Sequence, residues 1–327
     1  MDLEVYLNRS HFAVPHGGYL ILTCHPFLPL FAVCCSVALS WANEWGYPDL
    51  DNNQDEPFPK WGGLCDSGKK QSPINLHVKG SLKGEFDPLK FENYDEHQKN
   101  LLMVNNGHSI QLSGFDHELT LSGGALLNDF VVEQIHMHWW SEHTINDIRY
   151  PLEVHIVHRN TIYPNMTMAA NFKDGIVVIG VLYHVSNTPN EAIGSIIKSL
   201  GAVKSYDSMN KPALVADSLA VDDLVPSVES YFTYAGSLTT PTCAEAVTWI
   251  VLTQTFPVTL DQVNEFKEIE YEEGKQLHNN FRELQSENNR AVVLVEQPED
   301  RSGAAGLTAS VSLTLMTLML AGQKYLL

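Results

Sequence analysis

The sequence has few basic residues for its length. Its 327 residues include 20 Lys and Arg against 39 Asp and Glu, which gives a formal net charge of -19 at pH 7. Nucleic-acid binding requires clustered Lys and Arg that neutralise phosphates, and the sequence contains no basic stripe. The composition therefore excludes a nucleic-acid partner and indicates an acidic, self-repelling surface.

Internal repeats and long linkers are also lacking between residues 43 and 296. A segment of this length is within the range of one large domain with a sizeable core. We therefore predict a single domain over residues 43–296, large enough for a catalytic domain. Residues 1–42 are interpreted as a targeting segment, and residues 297–327 as a C-terminal linker with an apolar tail.

Cysteine is scarce. Of five cysteines, Cys24, Cys34 and Cys35 lie in the N-terminal segment, which leaves Cys65 and Cys243 in the domain. A bridge between these two would close a long loop and stabilise the fold by a few kcal/mol. Two buried free thiols are the alternative.

Both ends of the chain resemble processing signals. Residues 19–38 are almost uncharged and apolar and are followed by small residues, as in a secretory signal and its cleavage site. An uncleaved signal anchor is the alternative, because the preceding stretch is long and carries acidic residues.

Near the C-terminus, small residues precede the uncharged run 307–321. That run is shorter than the roughly twenty residues of a spanning helix, so it favours a signal for a glycosylphosphatidylinositol (GPI) anchor over a short membrane tail. Either outcome places the domain outside the cell. The tripeptide Asn165-Met166-Thr167 is an N-glycosylation acceptor and fits that compartment.

Short runs rich in β-branched, aromatic and aliphatic residues dominate the domain and predict strands. They are residues 101–104, 109–112, 118–121, 131–140, 152–158, 176–184 and 246–253. Helical periodicity is confined to 190–200 and to 260–266, which follows a Thr259 cap. We predict a mainly β fold: one domain with peripheral short helices around a large, twisted, mostly antiparallel central sheet.

Two histidines stand out within the predicted strand 131–140. Side chains alternate between the faces of a strand, so His136 and His138 share a face. A catalytic zinc site needs a third ligand and leaves its fourth position to water, and His155 on the next predicted strand is the candidate. The His-x-His pattern alone is more often two exposed or hydrogen-bonded imidazoles.

Six motifs bear on this interpretation. They are Gln71–Leu76, Asn105–His108, Gln134–Trp139, Ser141–Thr144, Glu153–His158 and Gly236–Pro241. Together, and in this order, they resemble the α-class carbonic anhydrases, and the termini resemble those of an extracellular, GPI-anchored member. The resemblance runs from Trp45 to about Glu296.

The resemblance implies that His136, His138 and His155 bind Zn²⁺. Three neutral imidazoles lower the pKa of zinc-bound water to about 7, and the resulting hydroxide attacks carbon dioxide, reversibly giving bicarbonate and a proton. Gln134 lies two residues before His136, and Glu153 two residues before His155, so each shares a strand face with the ligand that follows it. Both are expected to hold the other nitrogen of that ligand's ring.

Further catalytic residues follow from the resemblance alone. Thr239 would accept a hydrogen bond from the hydroxide and donate its own proton to Glu142, which fixes the direction of both bonds. His108 would relay the product proton to buffer. Tyr47, with Asn106, would order the water molecules between the metal site and His108.

Carbon dioxide offers little to hydrogen-bond, so its site should be apolar. The resemblance assigns this wall to Val157, Val178, Leu238 and Trp249, with Thr240 beside them. Ordinary core packing explains the aliphatic residues nearly as well.

The resemblance also implies that Cys65 and Cys243 are bridged, as in secreted and membrane-anchored members of the family. Such a bridge would brace the loop of Thr239.

Three residues depart from the family's pattern. Trp140 stands where many relatives have Gly, Arg159 where many have Trp, and Thr242 where many have Pro, but none of these changes removes a catalytic group. A zinc-free extracellular binding module would be marked by loss of a ligand histidine, and all three are present. A zinc esterase is a further alternative that the small apolar wall disfavours. The oligomeric state stays open.

Overall fold

The computed structural model describes residues 20–21, 38–39, 45–50 and 55–296. The predicted targeting segment and C-terminal tail lie outside these residues, apart from two paired dipeptides, β1 (Leu20–Ile21) and β2 (Ala38–Leu39). Among the described residues, no helix combines the length and apolarity that a membrane crossing requires.

The domain consists mainly of strands. They are β3 (Asn75–Leu76), β4 (Leu82–Gly84), β5 (Asp87–Glu92), β6 (Leu102–Asn105), β7 (Ile110–Ser113), β8 (Thr120–Gly124), β9 (Phe130–Trp139), β10 (Thr144–Ile145), β11 (Ile148–Arg149), β12 (Leu152–Asn160), β13 (Ile176–Val185), β14 (Ala213–Leu214), β15 (Ser230–Gly236), β16 (Val247–Leu252), β17 (Phe256–Val258), β18 (Glu270–Glu272), β19 (Lys275–Gln276) and β20 (Val293–Glu296). The helices are α1 (Leu64–Ser67), α2 (Met166–Ala169), α3 (Glu191–Leu200) and α4 (Leu260–Lys267), with 3-10 turns at Tyr206–Ser208 and Val221–Leu224.

Thirteen of the described strands form one mixed sheet. Its main path is β14-β6-β7-β9-β12-β13-β16-β15-β20-β4, with β8 and β5 attached beside β9, and β17 beside β13. The pairs β13–β16, β13–β17 and β20–β4 are parallel, and the other pairs of this sheet are antiparallel. The predicted mainly β, mostly antiparallel domain is thereby confirmed.

Each predicted strand is present, and one of them, β9, ends earlier than predicted. The run predicted to 140 stops at Trp139, because Trp140 has a φ of 62°, in the left-handed region that favours glycine. Its backbone N–H still donates to the carbonyl of Pro151, 3.0 Å away. Strands β5, β15 and β20, and the strands of two or three residues, were not predicted from the sequence.

The two predicted helices are confirmed, and both have side-chain caps. The Asn190 side chain accepts a hydrogen bond from the Ile193 N–H at the start of α3. At α4, Thr259 and Gln262 form a reciprocal capping box. Both helices bury one apolar stripe, so they lie at the periphery of the sheet.

The core is divided by the sheet. Ile135, Met137 and Trp139 enter an apolar cluster that also contains α3 and α4 residues. Val157, Val178 and Trp249 belong to a second cluster on the other side. Because side chains alternate along β9, the residues between those of the first cluster point toward the second face.

A disulfide joins Cys65 in α1 to Cys243 in the loop after β15, across a sequence separation of 178. The Cys243 N–H donates to the Thr240 carbonyl oxygen at 2.8 Å. The bridge therefore ties α1 to the turn that carries Thr239 and Thr240.

We predict that Cys243→Ser lowers the free energy of unfolding by about 2–5 kcal/mol, because it frees a long loop in the unfolded chain. Guanidinium unfolding measures the change. The double variant Cys65→Ser/Cys243→Ser serves as the control and should match the single variant. An unchanged midpoint would show that the bridge does not stabilise the fold.

Candidate metal centre

Three histidine rings meet where β9 and β12 pair. His136 and His138 lie on β9, and His155 on β12 is directly opposite His136. One nitrogen of each ring lies within 4.8 Å of the other two. His138 and His155 are buried, and His136 is half-buried.

Hydrogen bonds determine where the two β9 rings carry their protons. His136 Nδ1 lies 2.9 Å from Oε1 of Gln134, and His138 Nδ1 lies 2.6 Å from the carbonyl oxygen of Asn280. Both partners are acceptors, so each Nδ1 is assigned the proton. Nε2 of each ring is left unprotonated, with a free lone pair.

The third ring has the opposite tautomer. His155 Nε2 donates to Oε1 of Glu153 over 2.8 Å, which leaves Nδ1 unprotonated. This Nδ1 is 3.2 Å from His136 Nε2, and neither atom has a proton to share. His138 Nε2 is buried and has no hydrogen-bond partner within the described ranges. Three lone pairs thus converge, an arrangement that a cation would stabilise.

The charge states agree with metal binding. Burial lowers the pKa of His136 well below its ordinary value, and the neighbouring His138 and His155 lower it further. Burial also lowers the pKa of His138. Neutral imidazoles are the form that binds metals. Three nitrogen donors fit the ligand set of a catalytic zinc site.

The Glu153 carboxylate connects the ring of His155 to its surroundings. It accepts hydrogen bonds from the rings of His155 and His143, both 2.8 Å, and from the backbone N–H groups of Glu142 and His143, at 2.7 and 2.8 Å. Burial alone raises the pKa of Glu153, but its histidine partners hold it well below the ordinary value. Although His143, Glu153 and His155 also cluster closely enough for a metal, these bonds make Glu153 a support for His155.

The Glu142 carboxylate is held at one oxygen only. Oε1 accepts from the backbone N–H of Arg282 at 3.0 Å. Oε2 lies 3.5 Å from His138 Nε2 and has no hydrogen-bond partner in the part of the chain described here. Thr239 is buried, yet the described residues show no hydrogen bond between its hydroxyl and Glu142. The bond between them stays a prediction.

The four residues assigned to the substrate wall lie together. Val157, Val178 and Trp249 are neighbours in register across β12, β13 and β16, and all three are buried. Leu238 is half-buried and packs against the same cluster. The Trp249 ring centroid is 4.9 Å from that of His155, so this apolar surface borders the histidine cluster.

His108 lies on the turn between β6 and β7. Its ring stacks on Trp45, with centroids 3.7 Å apart and planes 14° from parallel. Burial lowers the pKa of His108 from the ordinary 6.5 to about 4. In this position the ring is a weak proton acceptor at neutral pH.

Tyr47 lies edge-on to His108, at 6.5 Å between centroids. Burial raises the pKa of Tyr47 well above its ordinary value, and the negative charge of Glu142 raises it further. Its hydroxyl is therefore protonated at any physiological pH. The Asn106 side chain accepts from the N–H groups of His108 and Ser109, at 2.9 and 2.8 Å, and so shapes the turn.

Sequence reasoning missed several supporting residues. Besides binding Glu142, Arg282 donates through its guanidinium to the Gln71 side chain and to the carbonyl oxygens of Ser72 and Cys65. No local pattern marks Arg282 or Asn280, since both lie outside regular secondary structure. The Gln71–Leu76 motif was the available signal, but it suggested no partner.

Two of the three departures from the family's pattern make identifiable local contacts. Arg159 donates to Glu133 at 2.5 Å, beside a register shift between β9 and β12. Trp140 has a backbone conformation that favours glycine; the residue is 39% exposed, and the Lys267 ammonium lies 5.7 Å from its ring centroid. Nothing in the structure explains Thr242, whose peptide bond with Pro241 is cis.

Comparisons with known proteins agree with this geometry. The family model of the eukaryotic-type carbonic anhydrases matches residues 55–296. The chain therefore belongs to the eukaryotic-type carbonic anhydrase family, a family of carbonate dehydratase lyases.

Individual relatives match over most of their length. Human carbonic anhydrase 6 is 32% identical over 76% of this chain and 82% of its own length. Rat carbonic anhydrase 4 is 31% identical over 78% of this chain and 82% of its own, and human carbonic anhydrase 12 is 30% identical over 84% and 79%.

We predict that Gly180→Ala weakens zinc binding about 10- to 100-fold. A Cβ at this position would lie 2.9 Å from Oε1 of Glu153 and displace the group that orients His155. Competition with a chromogenic chelator measures the affinity. Gly201→Ala is the matched control, because a Cβ there meets nothing within 4 Å. Equal affinities for both variants would contradict the role given to Glu153.

Proposed function

We propose that this chain catalyses the reversible hydration of carbon dioxide to bicarbonate and a proton, with Zn²⁺ held by His136, His138 and His155. The observation that supports this most is the convergence of three unprotonated ring nitrogens, each fixed by an acceptor on the far side of its ring. Family membership supports the choice of substrate.

Bound zinc would lower the pKa of a water molecule to about 7 and so provide hydroxide near neutral pH. The chain's own part is to orient the three rings, because Gln134, Asn280 and Glu153 determine which nitrogen of each ring is free. The wall of Val157, Val178, Leu238 and Trp249 offers an uncharged, linear molecule an apolar place beside His155. Water finds no hydrogen-bond partner on such an apolar surface, so carbon dioxide is the favoured occupant.

Glu142 and Thr239 would orient the attacking oxygen. Since Arg282 already occupies Oε1 of Glu142, Oε2 is the free acceptor for the Thr239 hydroxyl. A hydroxyl that donates its single proton to Glu142 can only accept from a second partner. The pair would thereby favour an attacking oxygen that carries a proton, because Thr239 could only accept a hydrogen bond from it.

His108 would carry the product proton to buffer after leaving its stack on Trp45. The stacked ring has a pKa of about 4 because of burial, whereas a solvent-exposed histidine has one near 6.5. The ring would accept the proton in its solvated position, where its pKa is near 6.5. It would release the proton on returning to the stack, where its pKa is about 4. Tyr47 lies beside this route.

We further propose that the domain works on the extracellular face of the plasma membrane, GPI-anchored through its C-terminal tail. The Cys65–Cys243 disulfide supports an oxidising compartment. Simple secretion and an uncleaved N-terminal anchor are the alternatives.

We expect His155→Ala to remove bound zinc and reduce carbon dioxide hydration to background. Zinc content by mass spectrometry and stopped-flow hydration are measured on the same sample. His184→Ala, an exposed histidine bonded to Thr255, is the control and should retain both. Hydration that persists without zinc would contradict the proposal, and zinc binding without hydration would favour a binding module or an esterase.

For His108→Ala we expect turnover to fall by roughly a hundredfold in weak buffer, within the range of acid–base catalysis, and to recover with concentrated imidazole. Trp45→Ala should raise the pKa of His108 from about 4 toward its ordinary value, because it removes the stacking partner. NMR titration of the ring measures the shift. Full turnover of His108→Ala in weak buffer would eliminate the relay.

Phosphatidylinositol-specific phospholipase C should release active protein from intact expressing cells, because a GPI anchor ends in the lipid that this enzyme cleaves. Activity in the medium before and after treatment is the measurement. Continued retention would point to a signal anchor or a spanning tail, and activity already in the medium would point to secretion.

A further inference from the structure

The loop between β12 and β13 exposes an unusual amount of apolar surface. It contains α2, and within it Ile162, Met168 and Phe172 are 59%, 43% and 43% exposed. Single exposed apolar residues are ordinary, but several in one short loop indicate a surface that something covers.

Two aromatic rings form a firm platform in this loop. Tyr163 and Phe172 stack with centroids 4.5 Å apart and planes 11° from parallel. The Tyr163 hydroxyl donates to Asp174 at 2.9 Å, and its carbonyl accepts from Arg159. Tyr163 is therefore held from both ends, while part of Phe172 stays open to solvent.

Asn165 lies two residues after Tyr163 and is exposed. Its Oδ1 accepts a hydrogen bond from the Met168 N–H at 2.9 Å, so the side chain has one orientation. The described part of the chain shows no acceptor bonded to its amide nitrogen, and Thr167 completes the acceptor tripeptide.

We propose that Asn165 carries an N-linked glycan whose first sugar packs on the Tyr163–Phe172 ring pair. This inference rests on the proposed secretory compartment. The amide nitrogen of Asn165 would displace the diphosphate of a lipid-linked oligosaccharide at the anomeric carbon. A C–N bond forms, the C–O bond to the diphosphate breaks, and the amide loses one proton. The apolar C–H face of the sugar would then cover an aromatic face that is otherwise in water.

The glycan should leave catalysis unchanged. His155 lies five residues before Asn160, where β12 ends, which places the loop about 17 Å along the strand from the histidine cluster. None of the ring-pair residues belongs to the candidate metal centre.

Attachment is tested on the full chain expressed in secreting animal cells, with glycosidase treatment and peptide mass spectrometry. Wild type and Thr167→Ser should carry the glycan at Asn165, whereas Asn165→Asp and Thr167→Ala should not. Asn165→Asp retains an oxygen that can accept from Met168, so it removes the acceptor nitrogen without removing the helix cap.

Packing is tested by thermal unfolding of three backgrounds, wild type, Phe172→Ser and Leu214→Ser, each with and without Asn165→Asp. The glycan should raise the midpoint by about 2–4 °C with Phe172 present and by much less in Phe172→Ser. Leu214→Ser, an exposed apolar residue on β14, is the control and should keep the full glycan effect. Equal effects in all three backgrounds would overturn the packing.

The outcomes separate this inference from the proposed function. Secreted chain with an intact disulfide and unmodified Asn165 would overturn the glycan while leaving compartment and catalysis in place. Retention in the cytosol with reduced cysteines would overturn both glycan and compartment. Zinc content and hydration of the same samples report on the metal centre alone.

Discussion

The hydrogen bonds of one buried carboxylate hold the candidate site together. Glu153 on β12 accepts from the ring of His155, from the ring of His143 and from two consecutive backbone N–H groups, those of Glu142 and His143, in the segment after β9. A buried charge is costly unless it is fully paired, so each of these donors stabilises the position of the others. The orientation of a candidate ligand and the placement of Glu142 therefore depend on the same anion.

Long-range contacts complete what Glu153 begins. Arg282 binds Glu142 through its backbone and the region of Cys65 through its side chain, so the disulfide and the carboxylate share one residue as support. Asn280, two residues earlier, determines the tautomer of His138 and also accepts from the Trp139 N–H. A segment without regular secondary structure thus completes a site that is built mainly on two strands.

Sequence patterns predict some of this site and not the rest. Alternation alone places His136 and His138 on one face, because that periodicity is a property of any strand. The tautomer of His138 could not be foreseen, since Asn280 is 142 positions away and follows no periodic pattern. Gly180 gave only the weak signal of a glycine in a strand, although its lack of a Cβ makes room for Glu153. The roles of Thr239 and Glu142 came from family resemblance, and their mutual bond is not part of the observed geometry.

The sheet register gives the domain two poles. β20 ends at Glu296 opposite Ser230, level with the C-terminal part of β13, whereas the loop of Asn165 joins β12 to the N-terminal end of β13. These ends are separated by about 20 Å along the strands. A tether that leaves from Glu296 would therefore hold the ring pair, and any sugar on it, at the end of the sheet farther from the point of attachment.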